Sequence, residues 1–384
     1  MMYKDFEEVV AYATKLRHYL HANPELTWHE FETAGTIRQV LDEHGIAWSE
    51  CARTGTVATL AQQAKGEHIG LRADIDALPL QEDTGLEYAS NNPQCMHACG
   101  HDGHTATLIA AAIWLKQHED KLPGPVTLIF QPAEEGGHGA KAMLESGYLD
   151  RIDFIYGWHN WPAIKFGQAL CPEGIIMAGN GTFHITLNGV GGHSSQPEIC
   201  KDPVLAASAV TQALQQIVSR QIAPQKVCVV SVTSIEAASG LTTIPDRAGL
   251  HGSIRVSDND MRDEVAASIK QITVDVAKAY GVEAEVEFRT RYSATINDPE
   301  AAHKARELLR RQLGKEFQSD HLSPVMASED FSYYLEKIPG AFMLIGSDDA
   351  DNTPCHNVKY DFNDKLIEPV SRVLMQLANL SVEF

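Results

Sequence analysis

Apolar residues recur at helical spacing over residues 6–22, at Val9, Val10, Ala13, Leu16, Tyr19 and Leu20, until Asn23-Pro24 interrupts them. A second amphipathic run over 30–44 stops at Gly45. Residues 68–74, His-Ile-Gly-Leu-Arg-Ala-Asp, instead read as a buried strand that runs out into a polar turn. Residues 103–117, rich in Ala, Ile and Leu, predict a helix, and 126–130 and 154–158 predict two more short strands. Strands alternating with helices predict a layered α/β architecture.

The texture changes near residue 181. Residues 183–187 alternate, a helix is expected over 203–219, and strands over 227–232 and 249–256. A helix over 260–280 and an alternating run over 283–289 complete the set. Strand–helix–strand–strand–helix–strand is the order of a ferredoxin-like unit. A helix over 299–313, a strand over 341–345 and an amphipathic helix over 364–381 then return to the first style. The expected fold is a mixed-sheet α/β domain built from 1–180 and 293–384, with a ferredoxin-like α+β domain inserted at 181–292.

Charge removes whole classes of partner. Against 31 Lys+Arg the 384 residues carry 51 Asp+Glu, a net charge of −20. Nucleic acids and anionic membranes both need a basic footprint, so neither is an expected partner. No stretch reaches the roughly 18 apolar residues of a spanning helix, and the acidic N-terminus holds no signal-peptide core. Seven scattered cysteines do not form a secreted disulfide framework, which points to a reducing cytoplasm.

The densest polar cluster is Met96-His97-Ala98-Cys99-Gly100-His101-Asp102-Gly103-His104. Thiolate and imidazole are both good transition-metal ligands, and Cys-x-His brings them together on one turn. The spacing matches no structural Cys₄ or Cys₂His₂ module, so further ligands must come from elsewhere in the chain. Glu134 and Glu135 follow the strand at 126–130, His159 follows the strand at 154–158, and His356 follows that at 341–345. Asp74 and Asp76 end the first strong strand, where carboxylates can orient metal-binding histidines. Each motif alone is equally a solvated loop or a capped turn. Together they place ligands at the carboxyl ends of several strands, where open α/β sites form. In the inserted domain His193, within Gly-Gly-His-Ser-Ser, lies on a mobile-looking loop and can donate to an oxyanion. The absence of a Gly-x-Ser-x-Gly elbow weakens a serine-hydrolase reading.

With these motifs assembled, the chain resembles the M20 metallopeptidase family. It is most similar to the aminoacylase and amidohydrolase branch of hippurate hydrolases, auxin-conjugate hydrolases and N-acetyldiaminopimelate deacetylases. The matching motifs run from residues 21–26 through 72–79, 96–104, 131–135 and 191–197 to Ile244-Pro245-Asp246, Ser328-Glu329-Asp330-Phe331 and His356. The resemblance implies two divalent metal ions per subunit (Zn, Mn, Co or Ni), with Cys99, His101, Glu135, His159 and His356 as ligands. It further implies Glu134 as the general base, Asp74 and Asp76 as the supporting acidic pair, and His193 as the lid histidine polarising the scissile carbonyl. Arg255 would hold the substrate carboxylate, and the lid would join two or more subunits. Glu198, Thr242 and Cys355 stand where the family commonly has other residues, the first two near the substrate. The implied reaction is hydrolysis of N-acyl, chiefly N-acetyl, amino acids to a carboxylic acid and a free amino acid. The alternatives are a metallo-dipeptidase or carboxypeptidase of the same fold, and an inactive metal-binding protein.

Overall fold

The computed structural model describes residues 2–349 and 353–380. In chain order the elements are α1 (Phe6–Ala22), α2 (Phe31–Glu43), β1 (Trp48–Cys51), β2 (Gly55–Leu60), β3 (Ile69–Asp74), α3 (His101–Gln117), β4 (Val126–Gln131), α4 (Gly139–Glu145), β5 (Phe154–Lys165), β6 (Ala169–Leu170) and β7 (Gly174–Met177). There follow β8 (Gly179–Asn188), β9 (Gly192–His193), α5 (Pro203–Gln216), β10 (Cys228–Glu236), β11 (Thr243–Ile244), β12 (Arg247–Val256), α6 (Asn259–Ala279) and β13 (Glu283–Thr290). The chain closes with β14 (Thr295–Asn297), α7 (Pro299–Leu313), α8 (Ser332–Leu335), β15 (Gly340–Asp348) and α9 (Ile367–Leu377).

Two compact units result. The first comprises Met1–Ile176, Ile296–Ser323 and Asp330–Phe384, the second Met177–Thr295 and Pro324–Glu329. Residues 324–329 thus join the second unit from outside the predicted 181–292 range.

The first unit is organised on a seven-stranded mixed sheet of order β1-β2-β4-β3-β5-β15-β6. β3 runs parallel to both β4 and β5, and β15 parallel to β5. Every residue of β3 and β4 is buried, which explains why apolar residues dominate both strands on either face, while Arg72, Asp74 and Gln131 are polar residues held inside. The parallel register pairs Asp74 with Gln131, so the two carboxyl ends finish level. α3 packs on β3, α1 and α9, and Leu108–Leu115 are all buried. A helix apolar all round is a core helix, not an amphipathic surface one.

In the second unit the sheet order β10-β12-β8-β13 is antiparallel throughout, the ferredoxin-like arrangement. α5 and α6 pack on the face carrying Phe183, Ile185, Leu250 and Ile254, all buried.

Four expectations need correction. α3 begins at His101, not residue 103, so both His101 and His104 lie on its first turns. β5 continues to Lys165 because β15 pairs with it in parallel through Trp161 and, after a register shift, at Lys165, so His159 lies inside the strand, not after it. The stretch around His193 is not an open loop, since β9 pairs Gly192 and His193 with Ile244 and Thr243 of β11. The last helix is a 3₁₀ turn, Asp364–Leu366, followed by α9, and residue 381 lies outside the described residues.

Candidate metal centre

Gly100 caps α3 at φ +93°, a left-handed conformation open to glycine at no cost, and turns the chain so that Cys99 and His101 face one space. A Cβ here would stand 2.4 Å from Asn160 Oδ1 and 3.0 Å from the Tyr360 hydroxyl. Gly100→Ala is therefore expected to cost about 1–3 kcal/mol, from the left-handed backbone and the displaced amide together. Urea unfolding measures it, and an unchanged midpoint would contradict the tight approach.

Cys99 is the hub. Its Sγ lies 3.3 Å from His159 Nε2 and 3.3 Å from His356 Nε2. His356 Nε2 is in turn 3.2 Å from Glu135 Oε1. Two donor groups share this thiol, Cys99–His101–His159 and Cys99–Glu135–His356, each with its ligand atoms within 4.8 Å of one another. A third such group joins His101 to Glu134 and Glu135. The structure thus brings together all five residues implied as ligands, and Glu134 with them. The donor set suits borderline divalent ions, and buried His101 Nε2 has no hydrogen-bond partner, as expected of an atom reserved for a metal. The residues fit a metal pair.

What aims these side chains lies one layer out. His101 Nδ1 donates to the backbone carbonyl of Asp76 at 2.8 Å and faces its Oδ1 at 3.2 Å, leaving Nε2 turned inward. The same Asp76 carboxylate accepts from the backbone N–H groups of Glu134 and Glu135, at 3.1 and 3.0 Å, and from the Thr27 hydroxyl at 2.8 Å. One carboxylate therefore locks a histidine ring and the acidic turn together. Ala133 enters that turn at φ 56° and His356 sits at φ 64°, so left-handed non-glycine residues stand on both sides of the site.

Asp74 works on a different histidine. Its Oδ1 is 2.6 Å from His104 Nδ1, while His104 Nε2 meets Asn160 Oδ1 at 2.6 Å and Asn160 donates to the Tyr360 hydroxyl at 2.6 Å. Arg72 Nη1 donates to Asp74 Oδ2 at 2.7 Å, its Nη2 to Asp330 Oδ1 at 3.2 Å and its Nε to Gln131 at 2.8 Å. Asp330 also accepts from Gln131 Nε2 and from the backbone N–H of Ala140. Arg72, His104, Gln131, Asn160 and Asp330 were given no role from the sequence, though His104 and Asp330 lie in motifs it marks. Arg72 and Gln131 carried a signal, as polar residues inside or ending buried apolar strands.

Proton affinities follow from this packing. Burial disfavours charge on His101, yet Asp74 and Asp76 outweigh it and lift its pKa to about 10. The Cys355 thiol, burial and the Glu135 carboxylate together push Cys99 well above the usual thiol range. Burial and then His104 hold His159 neutral. At pH 7–8 the metal-free centre thus holds Cys99 as a thiol and His101 as an imidazolium, each with one proton to lose before it can bind a metal. Loading is expected to release roughly two protons, and affinity to rise with pH towards 10. Calorimetry in two buffers of different ionisation enthalpy measures this, and identical heats would contradict it.

His193 and Arg255 belong to the second unit. His193 Nδ1 lies 2.7 Å from Ser195 Oγ, and the residue is exposed. Arg255 donates to the Ser328 hydroxyl at 2.6 Å, and burial, followed by Arg291, lowers its pKa. Thr242 accepts from the Ser194 N–H, Glu198 is exposed, and Cys355 Sγ lies 3.9 Å from the carbonyl of Cys99. Among the described residues no helix is long and apolar enough to cross a membrane.

Known proteins resemble this chain in sequence and fold. The sequence model described as peptidase family M20/M25/M40 matches residues 70–380. Hippurate hydrolase of Campylobacter jejuni is 39% identical over 367 residues, covering 95% of each chain. N-acetyl-L-cysteine deacetylase of Bacillus subtilis is 40% identical over 341 residues, 87% of this chain and 80% of that protein. The crystal structure of a Bacillus subtilis protein, described as a dinuclear metal-binding peptidase of family M20, superposes with a TM-score of 0.85 at 32% identity. It covers 97% of this chain and 98% of its own.

Proposed function

This chain belongs to peptidase family M20/M25/M40, and from that premise we propose how its site works. It is a metal-dependent amidohydrolase acting on N-acyl amino acids, and it holds two divalent ions. The observation that carries this reading is the pair of donor groups sharing Cys99, with the buried Glu134 carboxyl beside them. We assign Cys99, His101 and His159 to one ion, and Cys99, Glu135 and His356 to the other. Zinc and manganese are the ions to try first.

Bound ions of this class polarise an amide carbonyl and acidify water. The remaining work falls to side chains. Glu134 takes a proton from the attacking water and returns it to the amine nitrogen as the C–N bond breaks. Its backbone N–H is tied to Asp76, so its carboxyl swings about a fixed point. Asp76 holds the His101 Nδ1–H so that Nε2 faces the ions once it has lost its proton, and Asp74 fixes His104. We assign His193 to the developing oxyanion and Arg255 to the substrate carboxylate.

All seven cysteines are free, which supports a reducing, cytoplasmic setting. Homo-oligomerisation through the second unit is proposed on its exposed Leu205, Val229, Ile235 and Leu241. Light scattering reads the mass, and a monomer at every concentration would reject that part.

The deciding experiment is a panel of N-acetyl amino acids, hippurate and dipeptides, hydrolysed by the metal-reconstituted protein. Turnover of the acylated amino acids well above that of dipeptides is expected. The reverse order would replace the reading by a dipeptidase, and no turnover with Zn²⁺, Mn²⁺ or Co²⁺ would make the chain a metal-binding protein.

A further inference from the structure

On the second unit's sheet, successive residues alternate between the helix-covered face and an open polar one. His184 of β8 and His251 of β12 fall on the open face, directly opposite each other in the antiparallel register. Their Nδ1 atoms stand 2.7 Å apart, with the rings inclined at 73°. His251 Nε2 is 3.4 Å from Glu236 Oε1. Gly249 is directly opposite Glu236, and even a Cβ there would come only to 3.7 Å from His251 Nε2, so nothing obstructs the carboxylate's approach. On the other side Glu287 is directly opposite His184, at present paired with Arg289 at 2.7 Å.

We propose that His184 and His251 form a chelate for a nitrogen-seeking divalent ion, Ni²⁺ or Cu²⁺, built wholly from second-unit residues. Two nitrogens each about 2.0–2.1 Å from an ion stand about 2.9 Å apart at a right angle, and about 3.3 Å apart at the tetrahedral angle. The observed 2.7 Å, a shared-proton separation, lies closer to the right-angled bite of square-planar or tetragonal Cu²⁺ and Ni²⁺ than to that of tetrahedral zinc. Glu236 supplies what a metal-binding histidine requires, a carboxylate on the far nitrogen that keeps the proton there and turns the Nδ1 lone pair inward. Without a metal the two Nδ1 atoms share a single proton, which the ion displaces. Glu287 is placed to add an oxygen donor by leaving Arg289. Because the pair bridges β8 and β12, an ion bound there staples two strands, and binding to the folded state alone raises stability.

The test uses the intact chain with its catalytic centre already loaded with zinc. Nickel is titrated calorimetrically and the thermal midpoint is followed, in the wild type, His184→Asn, His251→Asn and the double variant. One extra equivalent and a raised midpoint are expected in the wild type, with affinity at least tenfold weaker in each single variant and lost in the double. Glu236→Gln should weaken binding several-fold, and hydrolysis should be unchanged in all four. With Cu²⁺ the wild type should show two-nitrogen coupling in its electron paramagnetic resonance spectrum, absent from the double variant. Equal uptake by wild type and double variant, or no extra equivalent in the wild type, would overturn the proposal and leave a pair that only shares a proton. Unchanged far-ultraviolet dichroism confirms that the variants are folded.

Discussion

Replacing Glu134 by Gln is expected to lower kcat by about 10²–10⁴-fold while the protein still binds two equivalents of metal. The amide is nearly the same size as the carboxyl, and the backbone N–H that Asp76 holds is unaltered, so the turn should keep its shape. Glutamine cannot take a proton from water or return one to the amine, so only the proton transfers are lost. Metal content by elemental analysis, alongside turnover of an N-acyl amino acid, makes the distinction. Near-wild-type turnover with normal metal content would remove Glu134 from the mechanism. Loss of metal would mean that it acts chiefly as a ligand, in the third donor group with His101 and Glu135.

Asp74→Asn should reduce stability by about 3–5 kcal/mol, the cost of removing one partner from a fully buried ion pair. The neutral amide takes one carboxylate from Arg72, which keeps Asp330 and Gln131, and offers His104 a weaker acceptor. Metal affinity should also fall, by about 10–100-fold, since the variant removes a buried negative charge 3.6 Å from His101 Nε2 and loosens the His104 side of the centre. The pH dependence gives an independent check. Despite burial, Arg72, His101 and His104 hold the Asp74 carboxyl well below the usual range. Its stabilisation is therefore complete above the ordinary carboxylate pKa and lost as pH falls through the folded value. The gap between wild type and variant, measured by denaturant unfolding, should be widest near neutrality and close in acid. A gap independent of pH would mean that the amide disturbs packing and not charge.

The candidate ligands were legible because each carries a local signature: Cys-x-His beside two glycines, adjacent glutamates after an apolar run, and histidines following apolar runs. Their supports were not. Nothing near Asp330 in sequence indicates that it accepts from Arg72, Gln131 and the Ala140 N–H, because those residues are brought to it by strand pairing. Asp102, within the polar cluster, gave no hint that it bonds His21 Nδ1 at 2.8 Å. The length of β5 was underestimated because its second half is stabilised by β15, which follows it by well over a hundred residues.

Periodicity and composition by themselves determined the alternation of strands and helices, the change of texture near residue 181 and the residue types able to bind metal. These are local properties, set by which side chains can share one face of a helix or strand. Only the tertiary structure decided that Cys99 belongs to two donor groups, that Asp76 hydrogen-bonds His101 while Asp74 hydrogen-bonds His104, and that His184 meets His251. Each depends on register between strands or on a loop closing over a helix end. A shift of one residue would turn those side chains to the opposite face, and no local preference specifies that register.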